Sequence, residues 1–573
     1  MLQIKHISKN SYFDISDDIS IKMTITNPMF NNIGSHSLNF NIEDTELNIS
    51  LIGFKNRIEN VNEEETINVE LSFNSIRYLA VMNITDFIDD KFSCNLLLDE
   101  ASFYSLITGK KLNDNSTITD NYSLGDSEAY AIDALEFASR NIYPTADFAM
   151  FPVKCDNFYG YPIGDRREII NAWKHKHILV PSSCEMALDT DGFNIYCPFF
   201  YLNYIIIQIF DTLNIEIEYN FFASEAELKQ LVIISFYTIY YDIIEDDNFL
   251  IDFKKVLPNI NLTEFFLELN SMFNLTIFYN NNTRKFRWVS NNNIIKSSLN
   301  TDLTHLSNNE DKIQYNNSKG INVMYEADED DLYYASNFIN IYDEKYTIRD
   351  SVDTSPLPSS GNSVNDVIRY TAGRYYYVWE WNSVTLAFNW SNGKVDFQSI
   401  FDKDNNITIK TTINTILDST ADIEWDEHTL DLTVRMPRMN KEGTTPLTAQ
   451  ETLKDFKLLF NRGYQLNGSS VYPMQTGSAY TEQSTGAAYD YARRSLSMSD
   501  NEGVYNKDYK EYINFKNNAK IVKKFIDFKD TDLQEIDFSN KYRISNTNYI
   551  ISKIEFTLYK YRIEFDDTEL YTV

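Results

Sequence analysis

Between Cys197 and Val289 a series of local signals comes in an order that leaves little freedom of fold. Pro198–Leu213 reads as a proline-started helix, with Leu202, Ile205, Ile206, Ile209 and Leu213 on one face and Asn203 and Asp211 elsewhere. Ile215-Glu-Ile-Glu-Tyr219 alternates as a short strand does. Ser224-Glu-Ala-Glu227 has the form of a capping box and predicts a second helix, its apolar face continuing through Leu228, Leu231, Val232 and Phe236. A third helix opens after Pro258, where Asn261-Leu-Thr-Glu264 repeats the capping pattern and Phe265, Phe266, Leu269, Met272 and Phe273 form its buried stripe. Leu275–Tyr279, a turn at Asn280–Asn282 and Lys285–Val289 complete a hairpin. The block holds no nucleophile, metal cage or phosphate loop, so it reads as framework.

A chain of 573 residues exceeds what one core can bury and predicts three or four domains. With 39 Tyr and 38 Phe against 17 Gly and 12 Pro, it favours strands joined by polar, Asn-rich turns. Acidic residues outnumber basic ones 83 to 51, a net charge of −32 that repels phosphate and argues against general nucleic-acid binding. The same charge suits either a soluble surface or a channel along which DNA slides without sticking. Cys94, Cys155, Cys184 and Cys197 are too few and too scattered for a disulfide framework. The N-terminus lacks a signal-peptide core, and the longest greasy run, Leu231–Tyr241, is too short to span a bilayer. The expectation is synthesis in a reducing cytoplasm without membrane insertion.

Alternating runs such as Ile21–Ile25, Leu38–Ile42 and Ile67–Leu71 predict a small antiparallel barrel or sandwich over residues 1–91. Residues 92–196 read as an insertion packed on it, with a helix at Ser127–Arg140 (Ala129, Ile132, Leu135, Ala138). Residues 197–317 are the α/β domain. Residues 318–460 read as a second β domain, which a loop and C-terminal strands in 461–573 complete as a second barrel. A helix-like segment at Asp508–Asn517 precedes those strands, and no short internal repeat stands out. The fold class is therefore α+β, mainly β.

Tests for chemistry return no catalytic, metal or cofactor site. Asp402-Lys-Asp404-Asn-Asn406 opens like a calcium loop, but Ile407 and Ile413 occupy the positions that need Gly and Glu. His175, His177, Cys184 and Cys197 fit no zinc spacing. Glu326–Asp331 offers carboxylate pairs that 83 acids produce by chance, and Asp189–Gly192 reads as a tight turn. Tyr375, Tyr377, Trp379 and Trp381 alternate with Tyr376, Val378, Glu380 and Asn382. This stripe fits a buried strand face or a subunit interface better than a sugar platform, because the opposite face is the more polar.

Several segments resemble tail hub proteins of phages and prophages of Bacteroidetes. They are Pro198–Leu213 with the acidic segment after it, Leu257–Leu267 leading to Phe273, and the early strands running into Gly53-Phe-Lys-Asn-Arg57. Gly503–Asn506, Asp532–Phe538 and Tyr549–Ile554 resemble the end of the same proteins. Together they cover about two-thirds of the chain in matching order, and the acidic balance is similar to that of crAss-like phages. The resemblance implies a late-control-D-like baseplate hub: tail-tube-type β-barrels flanking an α/β domain, assembled as a homo-oligomeric ring on the tail axis. Its implied partners are further copies of itself, tube, adaptor, fibre or distal hub proteins, and DNA in transit. It implies a virion location and no enzymatic activity. A tail-associated carbohydrate-binding or depolymerase protein, or a collar or adaptor ring protein, is the alternative. The Phe92–Cys197 insertion and the Tyr/Ser-rich Gly468–Met498 loop depart from the family pattern and leave ring symmetry and partners open.

Overall fold

Alternation of apolar and polar residues builds the first layer. Leu2–His6, Thr66–Phe73, Ile76–Ile88 and Lys91–Leu98 lie antiparallel side by side, burying residues such as Leu2, Ile4, Val69, Leu71, Phe92 and Leu96. Between Ile88 and Lys91 the chain reverses through Asp89 and Asp90, with φ of 51° and 57°, as a two-residue primed turn requires. Ser20–Thr26 then pairs antiparallel with Thr547–Tyr559, from Ser20 opposite Tyr559 to Thr26 opposite Lys553. Lys541–Ile544, Ile563–Phe565, Thr568–Thr572 and Ile521–Lys524 extend the same sheet. Its strands share one apolar core drawn from both ends of the chain.

This computed structural model describes residues 1–31, 34–55, 66–114, 116–118, 121–151, 153–156, 169–171, 196–234, 237, 239, 249–298, 300–308, 311–314, 322–325, 338–339, 345–352, 357–370, 375–382, 385–390, 394–396, 408–411, 414–415, 438–440, 456–467, 470–477, 480–482, 488–490, 493–496, 502–529, 532–533 and 536–573. Among them the fold is α+β and mainly β, with several antiparallel sheets and no closed barrel. Two expected divisions move. Lys91–Leu98 is a full partner of Ile76–Ile88, so a boundary at 91/92 would cut a hairpin. The C-terminal strands join the N-terminal sheet, where Thr547–Tyr559 finds its long partner in Ser20–Thr26.

A second core surrounds two helices, Leu202–Leu213 and Leu262–Phe273. Beyond the reach of a short repeat, the two helices open similar helix–strand units offset by 60 residues. Pro198, Leu202, Asn214, Ile217, Tyr219 and Asn220 recur as Pro258, Leu262, Asn274, Ile277, Tyr279 and Asn280. Each helix ends on an asparagine in the left-handed region, Asn214 at φ 52° and Asn274 at φ 51°, and passes into a strand. The residue before each helix makes an isolated bridge, Tyr201 with Val232 and Asn261 with Lys111. The two unit strands, Glu216–Asn220 and Leu275–Asn280, flank the shared strand Lys285–Ser290, the first parallel to it and the second antiparallel. A 60-residue spacing with few identities escapes a search for short repeats.

The first unit differs locally from its sequence reading. Phe199 and Phe200 form a strand with Phe148 and Ala149, so the helix begins at Leu202 rather than Pro198. Asn203 is buried and accepts a hydrogen bond from the Asn220 amide at 2.6 Å. The second predicted α-helix does not form: Phe221–Ala223 and Leu228–Gln230 are single 3-10 turns, and Leu231–Ile233 is a strand against Lys457–Asn467. The Ser224 hydroxyl donates to the Phe221 carbonyl, while Glu225 and Glu227 pair with arginines, so no capping box forms. The third predicted helix and its hairpin are present, but the Asn261 side chain makes no cap bond. Ser127 does cap Glu128–Arg140, which buries Ala131, Leu135 and Ala138 and leaves Ala129 outside. The late helix is Lys510–Asn518, preceded by a π-helical turn at Tyr505–Tyr509.

Candidate functional site

The aromatic stripe lies on Tyr375–Asn382, between Asp366–Tyr370 and Ala387–Trp390. Val378 is fully buried opposite Val367, so the buried face is the one between the aromatics. Trp379 sits across from Trp390 and Trp381 across from Phe388, with ring centroids 5.3 Å and 5.4 Å apart. Tyr377 and Trp379 are half-buried, and Trp381 is 55% exposed. Tyr375 pairs with Val395 through its backbone, and its side chain lies outside the described residues. The loop at 357–366 covers one end: the Trp390 indole donates to the Pro358 carbonyl at 2.8 Å, and a Cβ on Gly361 would collide with the Trp379 ring. Trp381 and its neighbour Asn382, on opposite faces, are both exposed at the strand's end, so burial is partial on the aromatic face, and the alternative of a subunit interface stays open.

A cleft of about 800 Å³ separates the β layer from the α/β block. On its walls the hairpin turn after Leu275–Asn280 is keyed to Ile76–Ile88. The Asn281 amide donates to the Leu79 carbonyl at 2.8 Å, the Leu79 N–H donates to Asn282 Oδ1 at 2.7 Å, and the Asn282 amide donates to the Arg77 carbonyl at 3.1 Å. Arg287 forks onto Asp537 at 2.7 and 2.9 Å, joining the shared strand to the C-terminal segment. Gly34, at φ +78°, lies against the Ala101 backbone, where a side chain would collide. Asp99 and Glu100 open the helix Asp99–Ile107 at the cleft. Burial pushes Asp99 up to about 6 and Glu100 well above the ordinary carboxylate range.

A partly buried ionic cluster, with Arg494 and Asp508 inside and Glu225 at the surface, holds the segment after the first unit to the C-terminal third. Arg494 donates to both carboxylate oxygens of Asp508, each at 2.7 Å, and to both of Glu225, each at 2.9 Å. Arg462 pairs with Glu227 at 2.9 Å. Burial pushes Asp508 up to about 6 against the pull of Arg494, whereas the Arg494 hydrogen bonds hold Glu225 below its usual range. Such a cluster fixes geometry and leaves no free group for chemistry.

Among the described residues no group of three His, Cys, Asp or Glu side chains could hold a metal ion. Burial pushes the Cys94 thiol up to about 12, which makes it inert, and Cys197 is buried as well. Residues 402–406, 326–331, 189–192, His175, His177 and Cys184 lie outside the described residues, as does much of 468–498. Sequence reasoning missed Asp99, Glu100, Arg494 and Asp508. Glu100 and Asp99 meet backbone groups 179 and 182 residues away, Arg494 reaches Glu225 across 269 residues, and single acids among 83 carry no local mark. No protein-family model matches this chain, and no curated protein is found to match it.

Proposed function

We propose that the chain is a structural subunit of a phage tail hub or baseplate ring, continuing the tail channel and joining it to distal components. The observation that carries this reading is the mainly-β architecture in which a sheet built from both chain ends has the α/β block keyed against it, a body made of contact surfaces. In this reading the strands around Ser20–Thr26 and Thr547–Tyr559 are tail-tube-type modules, and the chain works by contact rather than catalysis. Its partners are copies of itself, neighbouring tail proteins and, transiently, DNA. An acidic lumen drawn from the net charge of −32 would keep DNA weakly held. Exposed Trp381 with Phe388 beside it supplies a subunit or tail-protein contact. No helix among the described residues is long and apolar enough to cross a membrane.

Electron cryomicroscopy of virions carrying a tagged copy tests the reading. A ring at the distal tail supports it, a ring beside the portal supports a collar or adaptor, and a tag absent from particles overturns it. A neutral or basic lumen would sink the DNA-transit part. Trp381, more than half exposed beside Phe388, favours one second reading, a tail-associated glycan-binding or depolymerase protein. Binding or cleavage of host capsular glycan, lost in Trp381→Ala, would select it.

A further inference from the structure

The cleft of about 800 Å³ between the two layers has the size of a small-ligand site, and its charges are not balanced within it. Lys285 and Arg287 line it but are taken by acids: Lys285 lies 3.5 Å from Glu216, and Arg287 forks onto Asp537. Glu70, Asp99 and Glu100 line it too. Among the described residues none of these three forms an ion pair within 4 Å, and exposed Arg77 is the one lining cation left to face them. Lys5, across the strands from Glu70, turns to the Tyr12 ring at 5.8 Å instead.

The two neighbouring acids are held in a way that suits their charged form. Asp99 Oδ1 accepts the Asn281 N–H at 3.2 Å, and Glu100 Oε1 accepts the Tyr279 N–H at 3.4 Å, donations that favour an ionised carboxyl. Glu100 is only 7% exposed, and no hydrogen bond from the hairpin reaches its second oxygen. A carboxylate buried to that degree is costly without a countercharge. Two carboxyls are too few to cage a metal ion. Phe278 and Phe538 also line the cleft and suit an alkyl stem behind a cationic head.

We propose that the cleft binds an organic cation, a guanidinium or ammonium group on an alkyl stem, with Glu100 and Asp99 as its counter-ions. The head lies against the two carboxylates and the stem along the apolar walls. Burial pushes Asp99 up to about 6, and a cation in the cleft opposes that push. The same head group occurs on free polyamines and on the arginine or lysine side chains of a protein.

Calorimetric titration of the full chain at pH 8 and low salt tests this, with agmatine and a blocked alanine–arginine–alanine peptide as probes. Both should bind saturably, and butylurea, a neutral analogue, should not. Glu100→Gln should weaken each probe by about tenfold or more, whereas Glu216→Gln, on an exposed acid outside the cleft lining, should bind as wild type. A peptide that binds more tightly than agmatine supports a protein side chain as the occupant, and any other order supports a free cation. No saturable uptake, butylurea binding as well as agmatine, or wild-type affinity in Glu100→Gln overturns the proposal. Should circular dichroism show that variant unfolded, Asp99→Asn replaces it, and unchanged affinity there is equally fatal.

Discussion

The units 198–220 and 258–280 share one local plan and serve the molecule differently. Both place buried positions at 202, 205, 206 and 209 or their equivalents at 262, 265, 266 and 269. Phe210 and Phe266 meet at 5.8 Å over the shared strand, against Phe286. The first unit's strand is an edge, with Glu216 and Glu218 turned to solvent beside Lys285 and Arg287. The second buries Leu275 through Tyr279. The segments C-terminal to the two units differ as well: two 3-10 turns that hand Glu225 and Glu227 to arginines, against a hairpin that locks onto the β layer. Local pattern makes the unit, and the flanking segments assign its neighbours.

Substitutions can break that comparison, beginning with the largest effect. Arg494→Met strands buried Asp508 without its partner and should cost about 3–5 kcal/mol in urea unfolding. Adding Asp508→Leu should recover much of it. Phe266→Ala empties the face that touches Phe103, Phe286 and Trp288 and should cost about 3–5 kcal/mol, against about 2–3 for the equivalent Ile206→Ala. Equal losses would mean that the second unit is no more central than the first.

The two helix-ending asparagines give a sharper contrast. Asn274 donates to the Asp508 carbonyl at 2.6 Å and accepts from the Asn291 amide at 2.7 Å, so Asn274→Gly should lower stability by about 1–3 kcal/mol. Asn214 is exposed and serves by its backbone conformation, so Asn214→Gly should change thermal unfolding by less than about 0.5 kcal/mol. Least of all, Glu216→Gln removes a half-exposed pair 3.5 Å from Lys285, and a double-mutant cycle should return at most about 0.5 kcal/mol.

The sequence made the mainly-β α+β class, the third predicted helix and its hairpin readable, because those segments satisfy their periodicity locally. It misplaced the second helix because Ser224 and Glu227 look like a cap until Arg462 and Arg494 arrive from more than 230 residues away. The exposure of Trp381 was hidden because alternation separates two faces without saying where along the strand their cover ends, and Asn382 on the other face is exposed as well. Asp99 and Glu100 became visible only when the turn at Asn281 was brought onto them.

Pairing Ser20–Thr26 with Thr547–Tyr559 also sets a timetable for biosynthesis. At a typical ribosomal pace the later strand emerges roughly half a minute to two minutes after the earlier one. The central helices and hairpin, whose contacts are mostly nearer in sequence, can consolidate meanwhile. The nascent N-terminal strands must keep one long edge unsatisfied until translation is nearly over. Truncation shortly before Thr547 should therefore release a chain with an exposed strand edge, prone to aggregate or to hold a chaperone.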